Sequence, residues 1–310
     1  MKILFSADIH IKLGQKNVPV EWAKNRYRLL FEQYKLTQPL VDVNILGGDI
    51  FDRLPNMEEL ELYFELLASF SKYTLIYSGN HEALKKNTTF LTHLKNVTRK
   101  INSKAEIVDD YFSFQNIDII PYNKLKEYHP ADIDFNGNIL CTHVRGNIPP
   151  HVKAEVPLEI FDRWDVVLAG DLHSYSNSQL NILYPGSPVT TSFHRTNVET
   201  GFLILDSDTL KHEWKQLELP QLIRKTISPK EPQLPGDYDH IVYEIEGNVA
   251  ELMEVTETSI TDRKVVKKNY NDAELILHPG MNILEELEEY FRYILMLPED
   301  TVVDLLEELY

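Results

Sequence analysis

The sequence predicts an α/β protein: a four-layer sandwich of two mixed β-sheets flanked by helices, followed by a small α+β capping domain. Three observations predict it. Short apolar runs alternate with segments of helical periodicity near the N-terminus, giving β-α-β-α-β, the pattern of a mostly parallel sheet. Each apolar run ends in a polar cluster, which places those clusters along one sheet edge. Pro220, Pro229, Pro232, Pro235 and Gly236 then mark a shift in composition, after which strands and helices start again. The expected division is 1–220 and 221–310.

In chain order, Lys2 to Ala7 reads as the first strand and runs into Asp8-Ile9-His10. Trp22, Tyr27, Leu29, Leu30, Phe31 and Tyr34 recur at helical spacing. Val41 to Leu46 is the second strand, ending at Gly47-Gly48-Asp49, and Met57 to Phe70 is a second periodic helix. Tyr73 to Tyr77 leads to Gly79-Asn80-His81. Ala105 to Pro121 reads as short paired strands, Asn138 to Cys141 as a buried strand ending at Thr142-His143, and Asp165 to Ala169 as another ending at Gly170-Asp171-Leu172-His173. Ile182–Tyr184, Gly201–Leu205 and His212–Leu217 are expected as later strands of the second sheet. Past the prolines come a strand at His240–Ile245, a helix at Val249–Thr258 and a strand at Lys264–Val266. Two acidic amphipathic helices follow, Ile283–Leu297 and Thr301–Leu309, separated at Pro298. Their apolar stripe, including Leu287, Phe291, Leu305 and Leu309, suits either packing on their own domain or docking a partner.

Hydrophobic residues at 43% and charged residues at 25% are ordinary for a globular protein. The single cysteine, Cys141, excludes an internal disulfide and points to a reducing compartment. The apolar run at the N-terminus is too short for a signal peptide or a membrane span, so the expected location is cytoplasmic, with no membrane partner. The net charge of −17 disfavours unaided nucleic-acid binding, which needs clustered Lys and Arg. Much of that acidity lies past Met281, where Glu285, Glu286, Glu288, Glu289, Glu299, Asp300, Asp304, Glu307 and Glu308 face Arg292 alone.

Five clusters carry chemistry: Asp8-x-His10, Gly48-Asp49, Gly79-Asn80-His81, Thr142-His143 and Asp171-x-His173. In an extended segment, residues two apart point the same way, so each Asp-x-His pair is expected to grip one site. Carboxylate, imidazole and amide oxygen together suit Mn²⁺, Fe²⁺ or Mg²⁺ better than thiolate metals. Asp49 has two oxygens with which to bridge a pair of ions, and two-metal sites with ions about 3.5–4 Å apart serve in-line attack on phosphate esters. Taken singly, each cluster also reads as a turn, an N-cap or a satisfied histidine. Five in succession at strand ends do not arise that way.

As they stand, the motifs are ADIH, GDIFD, GNHE, CTHV and GDLH, and in this order the chain resembles the calcineurin-like metallophosphoesterase superfamily (D-x-H, G-D-x-x-D, G-N-H-[DE], H, G-H-x-H). GDIFDR and GNHE also look like the phosphoprotein phosphatases, but Leu54 stands where those have glycine. Tyr184-Pro185-Gly186-Ser187-Pro188 followed by Thr191-Ser192-Phe193 is similar instead to the SbcD-type nucleases of DNA repair and recombination, whose compact phage members match this length. The resemblance implies a metal-dependent DNA exonuclease or endonuclease using two divalent ions, Mn²⁺ first and Mg²⁺ second. Asp8, His10, Asp49 and His173 would hold one ion; Asp49, Asn80, His143 and Asp171 would hold the other. His81 would act as the catalytic acid, and Asp52 would orient a ligand. A homodimer and an SbcC-type ATPase partner are also implied, with DNA as substrate. The alternatives are a protein or small-molecule phosphatase of the same superfamily and an inactive scaffold. One departure stands out: Asp171 occupies a position where the family has histidine.

Overall fold

The structure, a computed structural model, describes residues 1–84, 88–129, 135–266, 280–295 and 297–307. Its first strands and helices are β1 (Lys2–Ser6), α1 (Val20–Thr37), β2 (Val43–Gly47), α2 (Met57–Ala68), β3 (Tyr73–Tyr77), α3 (Leu91–Ile101) and β4 (Ala105–Val108). Then follow β5 (Phe112–Phe114), β6 (Ile117–Ile120), α4 (Tyr122–Leu125), β7 (Ile139–His143), β8 (Val166–Gly170), β9 (Ile182–Leu183), β10 (Thr200–Asp206) and β11 (His212–Leu217). One sheet has the order β11-β10-β1-β2-β3-β4, the other β5-β6-β7-β8-β9. The pairs β1–β2, β2–β3, β3–β4, β6–β7, β7–β8 and β8–β9 are parallel, so their C-terminal ends share an edge within each sheet.

The central parallel strands are mostly apolar because both of their faces are covered. Ile3, Phe5, Val43, Ile45, Leu75 and Tyr77 meet Ile117, Ile119, Ile139, Cys141 and Leu168 in a core between the two sheets. On the outer face of the first sheet, Leu4, Leu46, Ile76 and Phe202 pack on Tyr27, Leu30 and Tyr34 of α1 and on Leu62 and Leu66 of α2. Buried Asn44, on that same face, exchanges two 3.0 Å hydrogen bonds with Gln38 and donates another to Thr74 Oγ1 at 3.1 Å. The helix α2 begins at a capping box made by Asn56 and Glu59. The outer face of the second sheet is closed by Tyr128, Phe135, Leu158, Phe161 and Trp164, which come from short helical turns and loops rather than long helices. Buried Asp118 is satisfied there by Trp164 Nε1 at 2.8 Å, Ser113 Oγ at 2.7 Å and Gly137 N at 3.0 Å.

The four-layer α/β architecture stands, with one correction to the strand assignment. Gly201–Leu205 and His212–Leu217 were expected in the second sheet, yet β10 and β11 extend the first, with β10 antiparallel to β1. The register Ile3↔Leu205 and Phe5↔Leu203 explains why: it puts Leu203 and Leu205 into the inter-sheet core beside Ile3 and Phe5. Both strands form, but apolar periodicity does not state which sheet a strand joins.

Farther along lie β12 (Leu222–Ile227), β13 (His240–Gly247), α5 (Val249–Glu254), β14 (Thr261–Val266), α6 (Ile283–Glu289) and α7 (Glu299–Glu307), the three strands pairing in the order β12-β13-β14. By contact the chain divides into two compact units: Met1–Thr226 with Pro232–Glu244 and Glu257–Asp262, and Ile227–Glu231 with Ile245–Thr256 and the residues from Arg263 on. In the second unit, Asn248 and Asn282 start α5 and α6 with capping boxes, and Tyr290–Ile294 continues α6 as a π-helical turn. The last expected helix is therefore present as Glu299–Glu307; Glu308 and Leu309 lie outside the described residues. No helix among the described residues is long and apolar enough to cross a membrane.

The two sheets are also tied by a polar contact within their shared core: Tyr77 Oη donates to Thr142 O at 2.9 Å. Replacing Tyr77 with Phe keeps the ring and removes this bond. Urea unfolding followed by circular dichroism should show a loss of about 1 kcal/mol.

Candidate metal centre

The polar clusters meet where the parallel strands end. Beyond β1 the chain turns sharply: Asp8 and His10 have φ of 57° and 48°, Asp49 has 51° and Asp171 has 102°. The Asp-x-His segments are therefore not extended, as the sequence reading assumed, and their side chains converge through left-handed backbone instead. That conformation costs a non-glycine residue roughly 1–2 kcal/mol. It is held here by bonds between loops, Asp8 N donating to Gly48 O at 3.1 Å, His10 N to Asp49 O at 2.9 Å and Ile11 N to Ile50 O at 2.7 Å. Two glycines permit the close approach. A Cβ on Gly48 (φ 87°) would lie 2.6 Å from both Gly79 N and His143 Nδ1, and one on Gly79 would lie 2.1 Å from Asp49 Oδ1.

Asp49 Oδ2 is the common point of the site. It lies 3.5 Å from His143 Nε2, 3.6 Å from His10 Nε2 and 3.9 Å from His81 Nε2. Two of these rings are fixed from behind, His143 Nδ1 on Gly47 O at 2.9 Å and His81 Nδ1 on Asp52 O at 2.6 Å, which turns their Nε2 atoms inward. Asn80 Oδ1 is 3.0 Å from His143 Nε2. His10 Nε2 faces His173 Nε2 at 3.1 Å, while buried His10 Nδ1 has no hydrogen bond and lies 3.7 Å from Asp52 Oδ1. Thr191 Oγ1 contacts His173 Nδ1 at 3.2 Å.

This donor set fits divalent cations. Asp8, His10 and His173; His10, Asp49 and His81; and Asp8, Asp49 and His143 each offer ligand atoms within 4.8 Å of one another. An inward Nε2 backed by a carbonyl-bound Nδ1, as at His143, is the usual posture of a metal-ligating histidine. The electrostatics agree. Burial, with Asp49 adding to it and His143 opposing, pushes the Asp8 carboxyl well above its ordinary range. Burial also acts to raise Asp49, but His143, His10 and His81 outweigh it and hold Asp49 below the usual carboxylate range. Burial pulls His10 down to about 3 and lowers His173, whereas at His143 the carboxylate of Asp49 overcomes burial and lifts the imidazole to about 10. Two carboxylates this close and this dry resist ionising together unless positive charge sits between them.

The structure thus gathers Asp8, His10, Asp49, Asn80, His81, His143 and His173 around one centre. Asp171 adjoins it, its Oδ1 4.0 Å from His143 Nε2, but its carboxylate is gripped by Arg145, Nε to Oδ2 at 3.0 Å and Nη2 to Oδ1 at 3.2 Å. Its backbone N–H reaches Asp8 Oδ1 at 3.1 Å. The Asp52 carboxylate forms a 2.7 Å ion pair with Lys12.

One organising residue went unassigned in the sequence reading. Glu82 is fully buried and accepts from Asp49 N at 2.9 Å and Gly79 N at 2.8 Å through Oε2, and from Phe51 N at 2.9 Å through Oε1. It pins two site loops together, and burial beside Asp49 lifts its carboxyl to about 7 against the pull of those N–H donors. The available signal was its place as the acidic fourth residue of the GNHE motif. Glu82→Gln turns an NH₂ toward backbone donors. Unfolding should report a loss of about 1–3 kcal/mol, and calorimetric titration should report Mn²⁺ affinity weakened by about 10-fold or more.

The calcineurin-like phosphoesterase family model matches residues 1–175, the stretch that supplies every residue gathered at the centre apart from Thr191. The chain is 45% identical over 306 residues to "Probable exonuclease subunit 1" of Escherichia phage T5, covering 95% of this chain and 93% of that one. It is 24% identical over 291 residues to "Putative phosphoesterase 244L" of Invertebrate iridescent virus 6, covering 86% and 98% respectively. Among solved structures, the protein TT1561 of Thermus thermophilus matches 69% of this chain and 98% of its own length, at 11% identity and a TM-score of 0.43. With the family model spanning more than half its length and a 45% identical relative nearly end to end, the chain belongs to the calcineurin-like phosphoesterase family.

Proposed function

We propose that the protein is a metal-dependent DNA nuclease, hydrolysing phosphodiester bonds as exonuclease or endonuclease in DNA recombination and repair. The observation that carries this reading is near end-to-end likeness to a phage protein named as an exonuclease subunit, joined to a site of the matching chemistry. By the family resemblance, Asp8, His10, Asp49 and His173 would hold one divalent ion, and Asp49, Asn80, His143 and Asp171 the other, Mn²⁺ suiting this mixture of oxygen and nitrogen donors best. When bound, such a pair supplies Lewis-acid stabilisation of both the attacking and the leaving oxygen of an in-line displacement.

The chain's own residues do the rest. Asp49 fixes the relative position of the histidines, because its Oδ2 is their shared neighbour. His81 is the acid. Its ring is set by the Asp52 carbonyl at Nδ1, its side chain is 37% exposed, and its Nε2 would deliver a proton to the leaving oxygen. Asp52, whose Oδ1 lies 3.7 Å from His10 Nδ1, would orient that ligand. We further assign residues 1–220 to the nuclease domain and 221–310 to a capping region. DNA grip is shared with an SbcC-type ATPase in an assembly built on a homodimer, since an acidic chain offers few phosphate contacts of its own.

The purified chain with Mn²⁺ should cut linear DNA and stop on chelation; hydrolysis of p-nitrophenyl phosphate without any DNA cleavage would overturn the reading. In His81→Gln, turnover on DNA should fall by about 100-fold or more while calorimetry still shows Mn²⁺ bound. A variant that cuts at the wild-type rate removes His81 from the role of acid.

A further inference from the structure

Asp171 stands where the family pattern has histidine, and Arg145 follows two residues after His143. The two side chains form a fork-to-fork pair, Nε to Oδ2 at 3.0 Å and Nη2 to Oδ1 at 3.2 Å. Their exposure is unequal: 6% for the Asp171 side chain and 46% for Arg145. The carboxylate is therefore enclosed on the site's inner side, and the guanidinium forms its outer wall. Arg145 is itself steadied at the backbone, its N–H reaching Glu155 Oε1 at 3.2 Å, and Glu155 Oε2 accepts from Tyr122 Oη at 3.2 Å.

One carboxylate thus has two claimants. Asp171 Oδ1 is 4.0 Å from His143 Nε2, so a cation held by His143 and Asp49 would compete with the guanidinium for it. We propose that Arg145 is a latch on Asp171, which in its closed form withholds the carboxylate from the second cation and opens when a phosphate of the substrate takes the guanidinium. Planar guanidinium binds phosphate and carboxylate with the same two-pronged geometry, so a phosphate arriving from solvent meets the exposed partner of the pair. Exchange of partners then turns Asp171 toward the second cation. Binding of substrate and of the second ion is coupled in both directions, as linkage requires. The inference rests on the two-cation reading above and assigns Arg145 as a positioning residue that acts through Asp171.

The test compares the wild-type chain with Arg145→Gln and Asp171→Asn by Mn²⁺ titration calorimetry, with electron paramagnetic resonance reporting the spin-coupled manganese pair. The wild type should bind one ion tightly and a second more weakly. In R145Q the second ion should tighten by about 5- to 100-fold, with the coupled signal appearing at correspondingly lower Mn²⁺; D171N should bind the second ion more weakly than the wild type. A second ion bound no more tightly in R145Q than in the wild type overturns the latch and leaves the two-cation reading standing. No second ion in either protein at any Mn²⁺ concentration overturns both. Should R145Q fail to fold, Arg145→Lys keeps the charge and loses the fork. It should shift the second ion in the same direction by less, and no shift overturns the latch equally.

Discussion

Asp49 presents one oxygen to three imidazoles at 3.5, 3.6 and 3.9 Å from a position that is 2% exposed. Burying that carboxylate, with Asp8 beside it, is unfavourable in an apolar surrounding. The local structure is arranged around this constraint. Glu82 ties Asp49 N and Phe51 N to Gly79 N, the loop after β1 hydrogen-bonds the loop after β2, and glycines stand where a side chain would collide with the site. Backbone strain at Asp8, His10, Asp49 and Asp171 lies where those bonds hold it.

The sandwich makes such a centre possible. Parallel β1, β2 and β3 deliver their C-terminal loops to one edge, β7 and β8 do the same in the second sheet, and the apolar core between them sets the spacing. His143 shows the coupling directly. Its ring ends β7 of one sheet, yet its Nδ1 is held by Gly47 O at the end of β2 in the other. Packing between sheets therefore positions a ligand, and the Tyr77–Thr142 contact lies one residue away along the same strand.

Much of this was legible because it is local. Apolar runs buried on both faces named the strands, and a polar cluster at the end of each named Asp8, His10, Asp49, Asn80, His81, His143 and His173, which lie together in the structure. What escaped the sequence depends on partners far along the chain. β10 joins the first sheet because Leu203 and Leu205 complete a core begun at Ile3 and Phe5. Left-handed backbone at Asp8 and His10 is imposed by Gly48 and Asp49, and nothing adjacent to Asp8 signals it. Glu82 closes the GNHE motif, but its part in holding the site is legible only from the three backbone donors around it. Asp171 was recognisable as a departure, but Arg145 as its partner required the fold to bring β7 and β8 side by side.

The charge balance of the centre also orders the events that follow. Asp8 and Asp49 lie within the centre and Asp171 beside it, and the Asp171 carboxylate is already bound to the Arg145 guanidinium. For the phosphate diester proposed as substrate, the ionised Asp49 carboxylate is like charge in a dry pocket, where repulsion is least screened. The chain's charge of −17 adds to that repulsion from outside. On the reading proposed above, bound cations would ease the entry of substrate, ahead of any part they take in bond cleavage. A histidine at position 171 would lessen the repulsion but would leave Arg145 without its carboxylate. With aspartate there, the added negative charge and the arginine that offsets it are balanced as a pair, so the site holds its charge locally until both substrate and cation arrive to divide it.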